Sequence, residues 1–274
     1  MKLWGRLPVI DDDYPDSVAG VCPISGYGTG YDGRDYAAFP LNAQWYNREP
    51  TVARLTEKEI VELVIEKTAK QNWIVDLCDA AGLKPKNQQQ SSYCHIHAPT
   101  AGMDMDRVYA GHIDPILYHA AFFAGSQITG GRNVGGSGVV DVKYLVEHGT
   151  CDEKLWAPMK FHGTAAEVQA AKADAEKRKV IISEEFDPND DVGINSSLVQ
   201  DQPITVGVPA WSHEVLLVAL VFKGGATKGS YGDLRRKFRN SWGDWGDRGC
   251  GVLDGAKAHL DEAMRIAAIM ESMK

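Results

Sequence analysis

Cysteine is scarce and scattered: five residues in 274, at Cys22, Cys78, Cys94, Cys151 and Cys250, with no Cys-x-x-Cys pair. That pattern excludes a zinc ribbon and argues against a disulfide framework, so a reducing compartment such as the cytoplasm is expected. No apolar run is long enough to cross a bilayer, and no membrane partner is expected. The first residues carry Lys2 and Arg6 but no apolar signal core, so no secretory leader is expected. Positive charge is also short. Twenty-nine Lys and Arg face 37 Asp and Glu, a formal charge of −8. Phosphate contacts need clustered cations, so general nucleic-acid binding is excluded. The one basic strip, Arg235, Arg236, Lys237 and Arg239, reads as a solvated face.

What is present is ordinary globular material, 44% hydrophobic and 24% charged. Three regions are expected. Residues 1–55 read as an irregular Gly/Tyr-rich arm: Gly26-Tyr27-Gly28-Thr29-Gly30-Tyr31 lies among five prolines, and Trp4, Tyr36, Phe39, Trp45 and Tyr46 offer buriable area. The arm either packs along the main domain or docks on a partner or a second copy. Residues 56–254 form the main domain. A helix is predicted from about Thr56 to Gln71, with Thr56 and Glu59 at capping-box spacing. Others are predicted over 138–148, capped by Ser137 and stopped by Gly149, and over 164–179. Short β-type runs follow at 203–208, 214–222, 237–242 and 251–253. Helices first and strands later give an α+β class. Residues 255–274 are predicted helical, with Leu260, Ala263, Met264, Ala267 and Met270 as an apolar stripe.

Three separated segments carry chemistry: Asn87-Gln88 running to Cys94, Trp211-Ser212-His213, and Asn240-Ser241-Trp242-Gly243. A thiol is a good nucleophile only as a thiolate, which an imidazolium or a helix N-terminus stabilises. Histidine can hold the proton and return it to a leaving amine. A side-chain amide can orient the ring, and another can donate to a developing oxyanion.

These segments resemble the papain-like cysteine peptidase family. Gln88 stands six residues before Cys94, the family spacing for its oxyanion glutamine, and Asn240-Ser241-Trp242-Gly243 matches the family's run after its asparagine. Gly135-Gly136 is similar to the family's substrate-pairing glycines, and 201–206 to the strand before its histidine. The resemblance implies a two-lobe fold, a helical lobe and a β-barrel-like lobe with the active-site cleft between them. It further implies Cys94 as nucleophile, His213 as general acid/base, Asn240 as orienter, Gln88 as oxyanion donor, Trp242 as a shield, and Gly135 and Gly136 as substrate-binding backbone. The implied activity is hydrolysis of peptide bonds in a peptide or protein substrate through an acyl-enzyme.

The stretch departs from the family around the nucleophile, where Ser91-Ser92-Tyr93-Cys94-His95 replaces its usual residues. Pro99 predicts that any helix starting at Cys94 is short, kinked or displaced. The Thr56 helix lacks the family's prosegment pattern, so no inhibitory prosegment is expected. His95 and His97 invite a metal reading with Cys94, but no further ligands at matching spacing accompany them. Neither metal nor cofactor is expected. Two other readings share these residues: a thiol amidase, and a catalytically inactive papain-fold protein of a viral or bacterial assembly, self-associating or docking through the arm.

Overall fold

The computed structural model describes residues 2–14, 28–35, 37–38 and 51–269. Tyr36, Phe39, Trp45 and Tyr46 of the expected arm, Cys22, and positions 270–274 lie outside them.

Two lobes meet along one buried helix. Strands β1 (Lys2–Trp4), β2 (Leu7–Ile10), β3 (Val180–Phe186), β4 (Ile204–Val208), β5 (His213–Phe222), β6 (Leu234–Arg239), β7 (Cys250–Leu253) and β8 (Glu262–Ile269) make an eight-stranded sheet. Its order is β1-β2-β7-β6-β5-β4-β8-β3, antiparallel except where β2 runs parallel to β7. The helices are α1 (Glu57–Lys70), α2 (Ile74–Ala80), α3 (Cys94–Tyr109), α4 (Ala121–Thr129), α5 (Gly138–His148), α6 (Ala165–Ala175) and α7 (Asp191–Val199). One apolar cluster joins α1, α2 and α7 to β4, β5 and β6. A second joins Ile96 and Met103 of α3 to α4, α5 and α6. The α+β class and the two-lobe arrangement are as expected.

Helix α3 overturns the expectation drawn from Pro99. It runs 16 residues with Pro99 inside it. Proline removes one backbone bond and crowds the preceding turn, at a cost of about 3 kcal/mol. Twelve of the 16 residues are buried, Ile96, Met103, Met105 and Val108 among them. A fully buried side chain of that kind contributes about 1.5–3 kcal/mol, so packing outweighs the local penalty. Thr100 Oγ1 also donates to the Ile96 carbonyl, 2.8 Å away.

The C-terminal expectation fails as well. Residues 262–269 are strand β8, seated between β3 and β4. Ala, Met and Glu favour helix when isolated. Pairing on both edges, with Glu262, Ala263 and Met264 fully buried, decides otherwise. Nor is the arm irregular throughout, because β1 and β2 extend the sheet edge.

The remaining local signals hold in part: the strand expected at 237–242 is found at Leu234–Arg239. Thr56 and Glu59 form the capping box of α1, with Thr56 N donating to Glu59 Oε2 at 2.8 Å. Helix α5 spans 138–148, but the Ser137 side chain makes no capping bond. The N–H groups of Gly138 and Val139 donate instead to the buried carboxylate of Glu262, at 2.8 and 3.3 Å. The basic strip is not a solvated face. Arg236, Lys237 and Arg239 are buried, and Arg235, Arg236 and Arg239 pair with Asp254, Asp191 and Asp79. No helix of the described residues is long and apolar enough to cross a membrane.

Candidate active site

Cys94 is the first residue of α3. The first turn holds no acidic residue, so no carboxylate of the helix itself offsets its positive end beside the thiol. His213 opens β5 immediately after Ser212, whose left-handed backbone (φ 50°) turns the chain into the strand. Asn240 follows β6, the antiparallel neighbour of β5, so both residues sit at one end of the sheet. His213 Nε2 and Asn240 Oδ1 are 2.8 Å apart, and the same oxygen accepts from Ser241 N at 2.8 Å. Trp211 and Trp242 pack against the imidazole, with ring centroids at 4.6 and 4.9 Å. Both indoles are fully buried, so water is kept from the His213–Asn240 bond.

The Asn240 loop also holds the glutamine segment. Gln88 N donates to Ser241 O at 2.8 Å and Gly243 N to Lys86 O at 2.8 Å. Ser241 Oγ donates to Gln88 Oε1, which aims the Gln88 NH2 into the cleft. There it donates to the carbonyls of Ser91, at 2.7 Å, and Gly28, at 2.8 Å.

Gly28 belongs to a stretch of the N-terminal segment that packs along the main domain between Gln88 and Gly136, one of the two dispositions expected of the arm. Gly28 N donates to Gln89 O, and Trp242 Nε1 to Gly28 O. Gly136 N donates to Gly30 O at 2.8 Å and Asp32 N to Gly136 O at 2.9 Å, a parallel bridge centred on Tyr31. Tyr31 N donates to Ser212 O at 3.1 Å. Arg34, buried, pairs with Glu185 of β3. The Gly-x-Gly alternation has a local cause. In an extended chain every second residue faces the same way. A Cβ on Gly28 would overlap the Ser91 carbonyl, and one on Gly30 would overlap the Ser92 carbonyl and come within 2.6 Å of its Cβ. Only bare backbone passes over the loop before Cys94.

Under this cover the thiol and imidazole are dry. Burial pushes the Cys94 thiol up to about 12, although the N–H groups of Glu214, Gly30 and His95 favour its anion. Burial pushes His213 down to about 4, against the upward pull of its bond to Asn240. Among the described residues no hydrogen bond joins Cys94 Sγ to His213 Nδ1, which is buried without a partner. The covered site therefore holds neutral thiol and neutral imidazole. The other described cysteines, Cys78, Cys151 and Cys250, are free and buried, each with its thiol pushed up by burial.

His95 and His97 are engaged elsewhere. His95 Nδ1 lies 2.7 Å from Asp141 Oδ2, and its ring backs Gly136 so closely that a Cβ there would lie 2.8 Å from Nδ1. His97 Nδ1 donates to Tyr93 O at 2.7 Å, and burial pushes this ring down to about 3. Among the described residues no cluster of three His, Cys, Asp or Glu could hold a metal ion.

The sequence reading missed a group of acids around Tyr31 and His95. Glu214, Glu262 and Asp141 are completely buried and Asp261 partly so. Burial, then the Glu262 charge, pushes Glu214 far above the carboxylate range, and burial pushes Glu262 up to about 8. Among the described residues both Glu214 oxygens lack a hydrogen-bond partner. The available signals were a glutamate directly after His213 in an apolar strand, and Glu262 beside an apolar run.

This fold is that of the papain-like cysteine proteases, on the likeness to three solved structures. Xylellain, a cysteine protease from Xylella fastidiosa, is similar at a TM-score of 0.57 and 15% identity, over 88% of this chain and 96% of that one. Digestive procathepsin L 3 of Tenebrio molitor larval midgut gives 0.53 and 15%, over 69% and 67%. The ragweed pollen allergen Amb a 11, a cysteine protease in its proform, gives 0.52 and 14%, over 68% and 63%. No protein-family model and no curated protein sequence matches the chain.

Proposed function

We propose that the chain is a thiol peptidase held latent by its own residues 28–34. The observation that carries this reading is the shielded His213–Asn240 pair beside the helix that opens with Cys94, with the Gln88 amide donating to a backbone carbonyl in the same cleft. Once the segment leaves, water enters. The thiolate then gains from the α3 N-terminus and the imidazolium from its bond to Asn240.

In the reaction, Cys94 sulfur attacks the peptide carbonyl carbon and the oxygen takes the electron pair. Gln88 and the Cys94 N–H donate to that oxyanion, each such donor being worth about 3 kcal/mol. His213 passes its proton to the amide nitrogen, the C–N bond breaks and the amine leaves. The resulting thioester is attacked by water, whose proton goes to His213. The acid departs and Cys94 returns as thiolate. Gly136, whose N–H and C=O now bond residues 30 and 32, would pair with the substrate backbone in the same way.

The carbonyl of Gly28 already accepts from the Gln88 amide, so in this reading the segment and a substrate compete for that donor. Two of the similar structures, procathepsin L 3 and Amb a 11, are themselves proforms, in keeping with a covered cleft. The test is turnover of a quenched peptide library by the full chain. Cleavage that is lost in Cys94→Ala supports the proposal. Absence of cleavage after the segment has been displaced sinks it.

The filled cleft also favours a second reading, a papain-fold binding or assembly protein without turnover. It requires Cys94→Ala to leave partner binding or self-association intact. A monomer by light scattering with robust turnover contradicts it.

A further inference from the structure

Main-chain bonds along 28–32 read no side chain, so selectivity in this cleft resides in the slot that Tyr31 fills. The ring is buried, with 4% of its surface exposed. At its phenolic end stands Gly207 of β4. A Cβ there would overlap Cζ and Oη and come within 2.7 Å of Cε2. The room left by the missing side chain is therefore taken up at the far end of an aromatic ring, a depth that leucine or valine does not reach. Tyr31 Oη donates to Asp261 Oδ1 at the floor. Asp261 Oδ2 also lies 3.5 Å from Arg34 N. Glu262 and Glu214 flank the same end, and burial with their charges pushes the phenol far up, so it stays a donor.

We infer that this slot selects a substrate tyrosine: the side chain lying against Gly136 is an aromatic ring whose hydroxyl donates to Asp261. The inference rests on the peptidase reading and deepens it by naming the substrate class. A hydroxyl donating to a carboxylate gains about 1.5–3 kcal/mol, which the analogue lacking it forgoes. Phenylalanine should therefore be discriminated against at least tenfold. An aliphatic side chain fails on both counts, leaving a void and forgoing the bond to Asp261.

Two arms test this. The first needs no catalysis. In full-length Tyr31→Ala, p-cresol should bind the vacated slot at least fivefold more tightly than toluene by calorimetry, and neither should bind the unaltered chain. The second measures kcat/KM for peptides differing at one position, Tyr, Phe, Leu, Lys or Arg. It uses the full chain carrying Gly30→Ala, whose Cβ displaces the segment, and should show Tyr over Phe by tenfold or more. Adding Asp261→Ala, which removes the acceptor, should shrink that ratio to about twofold. Toluene binding as well as p-cresol, or a library preference for Leu, Phe, Lys or Arg, overturns the inference and leaves the peptidase reading standing. Preference for p-cresol with no peptide cleaved supports the slot and defeats the peptidase reading.

Discussion

Replacing Gly30 by alanine places a methyl group inside the Ser92 carbonyl and within 2.6 Å of the Ser92 Cβ, where backbone cannot give way. The segment must lift. The bonds lost first are Gly136 N to Gly30 O, Asp32 N to Gly136 O and Tyr31 N to Ser212 O. At about 0.5–1.5 kcal/mol net for each, the open state gains about 1.5–4.5 kcal/mol, roughly tenfold to a thousandfold in its population. Amide hydrogen exchange reads this directly, because exchange from a locally opened state follows the opening equilibrium. Exchange at Tyr31, Asp32 and Gly136 should accelerate by that factor, while Val215 to Leu220 of β5 keep their protection. Unchanged protection at those three amides would refute the account of why the glycines alternate.

Asn240→Ala leaves His213 Nε2 buried without its partner. Stability should fall by about 1–3 kcal/mol in urea unfolding, with kcat reduced more than KM is raised. Gly207→Ala should expel the Tyr31 ring and speed exchange at Tyr31 and Asp32, whereas a silent substitution would mean the slot is shallower than described. Glu262 has a folded pKa of about 8, raised above its unfolded value. Its stabilising contribution is full below about 4.5 and is lost as pH rises through 8. Glu262→Gln, which retains an acceptor oxygen for Gly138 and Val139, should therefore gain on the unaltered chain between pH 5 and 8. A constant difference across that range would contradict the assignment. His213 and His97, held down to about 4 and about 3, act in the opposite sense. Their contribution is present above about 6.5 and is lost as pH falls through those values, so His97→Gln should flatten the acid limb of stability.

The candidate residues were legible where short motifs resemble those of a known family, and of them the structure brings His213 and Asn240 into contact. Gln88, Cys94, His213 and Asn240 could be singled out because the six-residue spacing, the strand start and the Asn-Ser-Trp-Gly run that resemble the family's are local features. What is non-local was not legible. The Gly/Tyr stretch showed its alternation but not its destination, since the loop it crosses at Ser91 and Ser92 lies some 60 residues away. Strand β8 was hidden by helix-favouring residues whose two pairing partners, β3 and β4, no local window contains. Strand β3 was hidden by Glu184 and Glu185, charges that read as exposed but are buried against Arg265 and Arg34. Pro99 misled for the opposite reason, as a strong local rule outweighed by packing around α3.

The central claim is that Cys94 becomes a thiolate activated by His213 once residues 28–34 leave the cleft. The most direct measurement is residue-resolved labelling with a substoichiometric epoxysuccinyl peptide, located by mass spectrometry, in the unaltered chain, in Gly30→Ala and in Gly30→Ala with His213→Ala. The account predicts slow labelling of Cys94 in the first, fast and selective labelling in the second, and its loss in the third. Labelling of Cys94 no faster than that of Cys78, Cys151 or Cys250 in the Gly30→Ala chain would contradict it.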